Sequence, residues 1–325
     1  MSTISVYLNP KASGANHSFS MDELRKYFFR HELKINTPGS LEEMIALVKR
    51  DRTDGTDCIF SIGGDGTCHT IAQHLVGGQT KLMVLAGGTA NDFADEIGTC
   101  GALKKLAYIF HAQTTKTVDL IKVNEKYLMS NGGIGIAQEV AALVNQYRKS
   151  SDLFHGFMKM SGKHAYQAVF AKHLLSAPFK MHKVFLESED CPLLERQISS
   201  PLILINNQPK LAGSFLVAPE TRNNDGKFNV TIFLHDNRFD FIKTALEFIS
   251  GGNGEGDKRI IRFETDSLKL MSLTKTPMIF FGDGETWEPS MELDIKIVPQ
   301  ALEVFSPMEE ITGKGHSLDE VPLLT

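Results

Sequence analysis

Three glycine-rich stretches bring together the residue types best suited to chemistry. Gly63-Gly64-Asp65-Gly66-Thr67 sets one carboxylate among glycines beside a hydroxyl. Gly87-Gly88-Thr89-Ala90-Asn91-Asp92 repeats the idea with an amide and an acid, and Asn9-Pro10-Lys11-Ala12-Ser13-Gly14 offers an amide, a cation and a hydroxyl. Glycine lets main-chain N–H groups come close to phosphate oxygens, and the first N–H groups of a helix attract anions. Asp65 is the odd member, because a carboxylate repels phosphate; it suits a hydroxyl or a metal ion. Taken singly, the first stretch also fits a tight strand–helix turn capped by Thr67, the second helix capping by Asn91-Asp92, and the third an ordinary loop. Together, at three strand ends, they point to a nucleoside triphosphate.

Acids recur further along as Asp119, as Asp225-Gly226 within Arg222-Asn223-Asn224-Asp225-Gly226-Lys227, and as Asp283-Gly284-Glu285. Asp-Gly is a common turn. A kinase, however, needs carboxylates to hold Mg²⁺ and to accept the proton of the attacking hydroxyl. The eleven histidines show no H-E-x-x-H or H-x-E…C-x-x-C spacing, and neither G-x-S-x-G nor G-x-x-x-x-G-K-[ST] occurs, which argues against zinc chemistry and the common hydrolase and P-loop readings.

The elements that must position these residues follow from periodicity. Ile4–Leu8, Cys58–Ile62 and Leu82–Ala86 read as buried strands, and Ser20 with Glu23 and Ser40 with Glu43 as capping boxes. Helices are expected at about 67–77 and 92–98. Strand–turn–helix repetition argues for a parallel sheet covered on both faces. From about Thr117 the pattern becomes two-residue alternation, in Ile261-Phe263, Leu268-Leu270, Met278–Phe281, Leu293-Ile295-Ile297 and Leu302-Val304, which predicts an antiparallel sandwich or barrel. Helical insertions interrupt it at about 137–176 and 239–250.

With 325 residues and a net charge of 34 − 39 = −5, the chain is too acidic for a general nucleic-acid binder and long enough for about two domains. Cys58, Cys68, Cys100 and Cys191 form no C-x-x-C pair and read as reduced thiols. No secretory signal is expected, and no apolar run approaches the ~18 residues of a membrane span. The expected location is therefore cytoplasmic, with peripheral membrane contact. Between Glu139 and Glu187 the only acid is Asp152 against seven lysines and arginines, a pattern suited either to an anionic membrane surface or to a helical insertion whose apolar side packs on the sandwich and whose lysines are solvated.

The ordered set Asn9-Pro10…Ser13-Gly14, Gly63–Thr67, Gly88–Ala94, Asp119, Asn131…Gly135, Ala218-Pro219…Asp225-Gly226 and Asp283-Gly284-Glu285 resembles, over nearly the whole chain, the bacterial diacylglycerol kinase and lipid kinase family, relatives of sphingosine and ceramide kinases. Gly-Gly-Asp-Gly-Thr alone is shared with NAD kinases and, in close form, phosphofructokinases; the order of the whole set narrows it. The resemblance implies an α/β fold with an N-terminal three-layer ATP domain over residues 1–124, joined by 303–325. A C-terminal antiparallel β-sandwich domain over 125–302, carrying the insertion 137–176, would form the lipid site. It implies ATP- and Mg²⁺-dependent phosphorylation of a lipid hydroxyl at a membrane surface, diacylglycerol first, with no nucleic-acid partner; a homodimer is a candidate assembly.

By motif position, Glu285 resembles the proton acceptor, and Asp65, Asp92 and Asp119 an acidic network facing metal and substrate. Asn9, Lys11, Thr37, Gly63, Gly64, Asp65, Gly66, Thr67, Thr89 and Asn91 match nucleotide contacts. Asp225, with the carbonyls of Arg222 and Lys227, matches a Mg²⁺ site, and Asp92 is a further metal-facing acid. The chain departs from the pattern where the family usually continues with Asn and Glu, having Cys68-His69-Thr70 instead. Two alternatives stand beside the lipid kinase: a soluble-substrate kinase of the NAD-kinase type, and a non-catalytic nucleotide- or lipid-binding regulator.

Overall fold

The computed structural model describes residues 3–9, 20–88, 91–150, 163–213 and 215–308. Strands β1 (Thr3–Leu8), β2 (Glu32–Asn36), β3 (Cys58–Gly63) and β4 (Lys81–Ala86) pair in parallel in the order β2-β1-β3-β4. β3 is buried along its whole length, as a central strand covered on both faces must be. The covering helices are α1 (Met21–Tyr27), α2 (Leu41–Thr53), α3 (Asp65–Gln73), α4 (Asp92–Glu96) and α5 (Leu103–His111). Val48 of α2 and Ile71 of α3 pack on one face of the sheet, while Leu24 of α1 and Phe110 of α5 pack on the other. There Phe28, Phe60 and Phe110 meet edge to face, with centroids 4.9 to 5.4 Å apart.

Local signals set the starts of the first two helices. Ser20 Oγ accepts from Glu23 N and Glu23 Oε2 accepts from Ser20 N, a complete capping box. At α2 the box is only half formed. Ser40 Oγ accepts from Glu43 N at 3.1 Å, but Glu43 Oε2 takes the N–H of Gly39, one residue before the cap, at 2.7 Å.

Beyond β4 the same sheet continues into the second half of the chain through β18 (Glu292–Phe305). The alternations at Leu293–Ile297 and Leu302–Val304, which read as two segments, are one strand. It pairs antiparallel with β15 (Ser267–Ser272) and β5 (Thr115–Val123), shifts register between Val298 and Leu302, and ends parallel to β4 with Val304 opposite Leu82. A bulge lets one strand bend from one layer into the next. In the same sheet β6 (Lys126–Leu128) pairs with β5, β8 (His182–Glu187) with β15 and β9 (Gln197–Ser200) with β8, while β11 (Lys210–Leu211) and β12 (Phe215–Leu216) form a separate short pair.

A second, antiparallel sheet has the order β14-β13-β10-β7-β16-β17. It comprises β7 (Asn131–Gly135), β10 (Leu202–Asn206), β13 (Phe228–Phe233), β14 (Ile260–Thr265), β16 (Phe280–Gly282) and β17 (Glu285–Thr286). Alternate residues of β10 serve two cores, since successive strand side chains point to opposite faces. Ile203 and Ile205 enter the sandwich interior with Val230 and Ile295. Leu202 and Leu204 face outward under α6 (Ile136–Ser150), α7 (Lys163–Ser176) and α8 (Arg238–Ile249). The insertion expected at 137–176 is thus a pair of helices, α6 and α7; the segment 151–162 between them lies outside the described residues. No helix among the described residues is long and apolar enough to cross a membrane.

Candidate active site

The loops after β1, β3 and β4 leave the same edge of the parallel sheet and touch one another. Asn9 N donates to Ile62 O at 3.1 Å and Asn9 Nδ2 to Thr67 Oγ1 at 3.0 Å. Gly87 N donates to Gly63 O at 2.8 Å. A Cβ on Gly88 would stand 2.5 Å from Gly64 Cα, so only glycine permits these two turns to lie against each other. Asn91 takes a left-handed conformation, φ 54°, and brackets Gly88 with its amide, accepting from Gly88 N at 2.8 Å and donating to Gly88 O at 2.9 Å. It closes a turn and does not cap α4 through its side chain.

Helix α3 begins at Asp65, with Gly64 as its N-cap and no side-chain cap. Thr67 is therefore inside the first turn and is not the cap. That shift sets Asp65 at the helix start, where its Oδ2 accepts the N–H of Asn91 at 2.9 Å. Burial pushes the Asp65 carboxyl above the usual carboxylate range; the Asn91 amide pulls it back, and the charge of Asp283 pushes it further up.

The turn between β16 and β17 comes from the second sheet and sends its two acids in different directions. Asp283, at φ 50°, points inward and is 4% exposed. Its Oδ1 accepts from Ser130 N at 2.8 Å and Ser130 Oγ at 2.5 Å; its Oδ2 accepts from Met129 N at 3.0 Å and lies 2.6 Å from His69 Nδ1 of α3. Burial alone would raise the Asp283 carboxyl, but the His69 bond and charge, with these amides and the hydroxyl, hold it below its ordinary value. Burial likewise lowers His69, and the Asp283 bond more than reverses this, so His69 is raised. The two form a buried ion pair. Glu285 faces out and is exposed, its Oε1 3.3 Å from where a Cβ on Gly66 would stand.

Asp65, Asp92, Ser130, Asn131, Asp283 and Gly284 form the polar end of a cavity of about 140 Å³. The rest of its wall is apolar, with Phe170, Leu204, Phe215, Phe233, Phe248 and Phe281 among its side chains.

The remaining expected site residues lie apart from this cavity. Asp119 does not line it: its Oδ1 accepts from Gln300 N and its Oδ2 from Gly226 N, both at 2.7 Å. It braces the 222–227 loop against the bulge of β18. Asp225 is exposed and accepts from Lys227 N, with Arg222 and Lys227 also exposed. Thr37 is exposed after the edge strand β2, at the outer rim of the sheet. Lys11 and Thr89 lie outside the described residues. Among the described residues no group of three or more His, Cys, Asp or Glu side chains is placed to hold a metal.

Two residues of the site, His69 and Asp283, have no assigned role in the motif reading. The departure at position 69 and the Asp-Gly turn were the available signals, but their pairing spans most of the chain and no local pattern reports it.

Comparison with known proteins agrees with this architecture. Residues 3–123 match the diacylglycerol kinase catalytic domain, and residues 138–306 the YegS C-terminal NAD kinase beta sandwich-like domain. A protein of Staphylococcus aureus (strain MRSA252), provisionally named lipid kinase SAR0780, is 25% identical over 262 residues, covering 79% of each chain. A crystal structure from Bacillus anthracis str. Sterne, provisionally described as a diacylglycerol kinase, superposes with a TM-score of 0.72 at 17% identity, covering 94% of this chain and 95% of that one. Another, described as a diacylglycerol kinase from the same strain, gives 0.67 at 15% identity over 94% and 97%. These structural likenesses bear on the fold.

Proposed function

The chain belongs to the bacterial diacylglycerol and lipid kinase family, and on that premise we propose that it transfers the γ-phosphoryl group of ATP to a lipid hydroxyl, diacylglycerol first. The observation that carries the lipid reading is the apolar cavity whose polar end is Asp65, Asp92 and Asp283. At about 140 Å³ it is close to the ~150 Å³ of an apolar cavity that stays dry and takes up a hydrocarbon ligand. The charged phosphates and hydroxyls of a soluble dinucleotide would find no partners along this apolar wall, whereas an aliphatic segment would leave water for it.

Phosphoryl transfer asks mainly for positioning and for stabilisation of charge. The first turn of α3 supplies main-chain N–H groups at a strand end for the phosphates. Glu285, open to solvent above that turn, takes the proton of the lipid hydroxyl as its oxygen bonds to the γ-phosphorus and the bond to ADP breaks. Asp225 and the carbonyls of Arg222 and Lys227 are an oxygen-only donor set, which fits Mg²⁺ that keeps several of its waters. Bound there, the ion would supply positive charge that orders the 222–227 loop; Asp92 is a further metal-facing acid at the cavity end. The substrate would be met at a membrane surface.

The test is a labelling assay with [γ-³²P]ATP and Mg²⁺ against vesicles containing diacylglycerol, monoacylglycerol or a ceramide-type lipid, with NAD as the soluble competitor. Label in a lipid product is the expected result. Label in NAD alone would establish the soluble-substrate reading, and no label with retained ATP binding would establish the regulator.

A further inference from the structure

Helix α3 meets the sandwich turn at two points on one face. Gly66 and His69 are three residues apart, so they lie side by side on the helix surface. Gly66 lies beneath the Glu285 carboxylate, and His69 reaches the Asp283 carboxylate at 2.6 Å. Asp283 and Glu285 flank Gly284 in the same turn, whose first two residues have φ of 50° and 83°. A non-glycine residue at positive φ is strained and persists only where its surroundings hold it.

Of the donors that hold Asp283, Met129 and Ser130 lead into the turn's own sheet neighbour β7; His69 comes from the other layer. The imidazole also packs against Trp287, with ring centroids 6.1 Å apart, and Trp287 against Phe280 at 4.9 Å. Of the bonds on the inward side of the turn, His69 thus makes the one that ties it to α3, while Met129, Ser130 and Asn131 tie it to β7 and the segment before it.

We propose that His69 is a positioning residue: its contact with Asp283 clasps the Asp283–Glu285 turn onto α3 and so sets the reach of Glu285 over the phosphate-binding turn. The proposal rests on the kinase reading for its kinetic consequences, but the clasp itself is independent of substrate. The chain's departure from the family pattern at this position thereby acquires a role. An asparagine would place a neutral N–H donor where Nδ1 now stands, whereas an alanine would place none.

The charged and titratable groups around His69 are Asp283 and Glu285 of the turn, Lys126 between β5 and β7, and His74 at the end of α3 itself. Because His69 is raised, the contribution of its charge is full below pH 6.5 and is lost as pH rises through the folded-state value above it, whereas that of Asp283, which is lowered, is lost only on the acid side. A neutral imidazole can keep its Nδ1–H on Asp283, so the clasp and kcat should outlast the loss of the charge.

The experiment compares the parent with His69→Ala and His69→Asn in two readouts, steady-state kinetics against pH and hydrogen exchange over residues 128–131 and 280–287. His69→Ala should lower kcat by roughly 10- to 100-fold, as expected of a base misplaced by about an ångström, with KM for ATP within about twofold. Exchange in both segments should quicken. His69→Asn should recover most of kcat and the slow exchange. Parent-like kcat and exchange in His69→Ala would overturn the clasp, and so would a His69→Asn as impaired as the alanine variant. If His69→Ala does not fold, the asparagine variant decides: near-parent kcat with slow exchange supports the clasp, and loss of either overturns it. If the parent labels no lipid, the functional reading fails and exchange alone decides the clasp.

Discussion

Glu285 Oε1 stands 3.3 Å from the point a Cβ on Gly66 would occupy, although Gly66 opens a helix of the parallel layer and Glu285 ends a turn of the other sheet. The approach brings the expected base to the Gly63–Thr67 turn.

Gly66→Ala should push the Glu285 carboxylate aside by a few tenths of an ångström. Because a displacement of about 1 Å can cost ~10²-fold, kcat should fall by about tenfold while the melting temperature barely moves. Single-turnover kinetics would detect this, and parent-like kcat would show that Glu285 tolerates the shift.

Glu285→Gln should keep the fold and ATP binding and lower kcat by roughly 10²–10⁴-fold, the range for a positioned acid–base group. A variant with near-full turnover would remove Glu285 from the proton transfer.

Asp65→Asn should trade activity for stability. The Asp65 carboxyl is raised by burial, so the folded chain holds its proton more tightly than the unfolded chain, and stability is lost as pH rises through the folded value. The amide removes that loss and can still accept from Asn91 N. Calorimetry should find a higher melting temperature for the variant at pH 8 and a difference that closes toward pH 4, with phosphoryl transfer abolished. A variant less stable than the parent at pH 8 would contradict the assignment.

Ala137→Phe should fill part of the apolar cavity from α6. Overpacking typically costs ~1–3 kcal/mol, so the protein should fold while kcat/KM for the lipid drops by about tenfold or more. KM for ATP should stay unchanged. Equal losses for both substrates would place the lipid elsewhere.

Asp225→Ala should remove any rise of melting temperature with added Mg²⁺ and lower activity with it. An unaltered Mg²⁺ response in thermal denaturation would reject the 222–227 loop as the ion's site.

Much of this molecule is legible in residue order because the governing physics is short-ranged. Ser20 and Glu23 define a helix start within four residues, β3 declares its burial by an apolar run broken only at Ser61, and the glycines of Gly63–Thr67 and Gly87–Asn91 mark tight turns, at two of which, Gly63 and Gly88, a Cβ would stand within 2.6 Å of a neighbour. The motif order likewise led to the family. What only the tertiary structure decided are the relations between distant segments. Asp119 and Asp283 are both aspartates in Gly-rich or strand contexts, and sequence does not say which carboxylate will be occupied by neighbouring donors. In the fold Asp119 is taken by the amides of Gly226 and Gln300, while Asp283 is taken by His69 across the cleft. The bend of β18, set by its pairing with β5 and β4, was decided in the same way. The reason is that a buried polar group must find a partner, and which partner is within reach depends on packing that brings remote strands together, not on spacing along the chain.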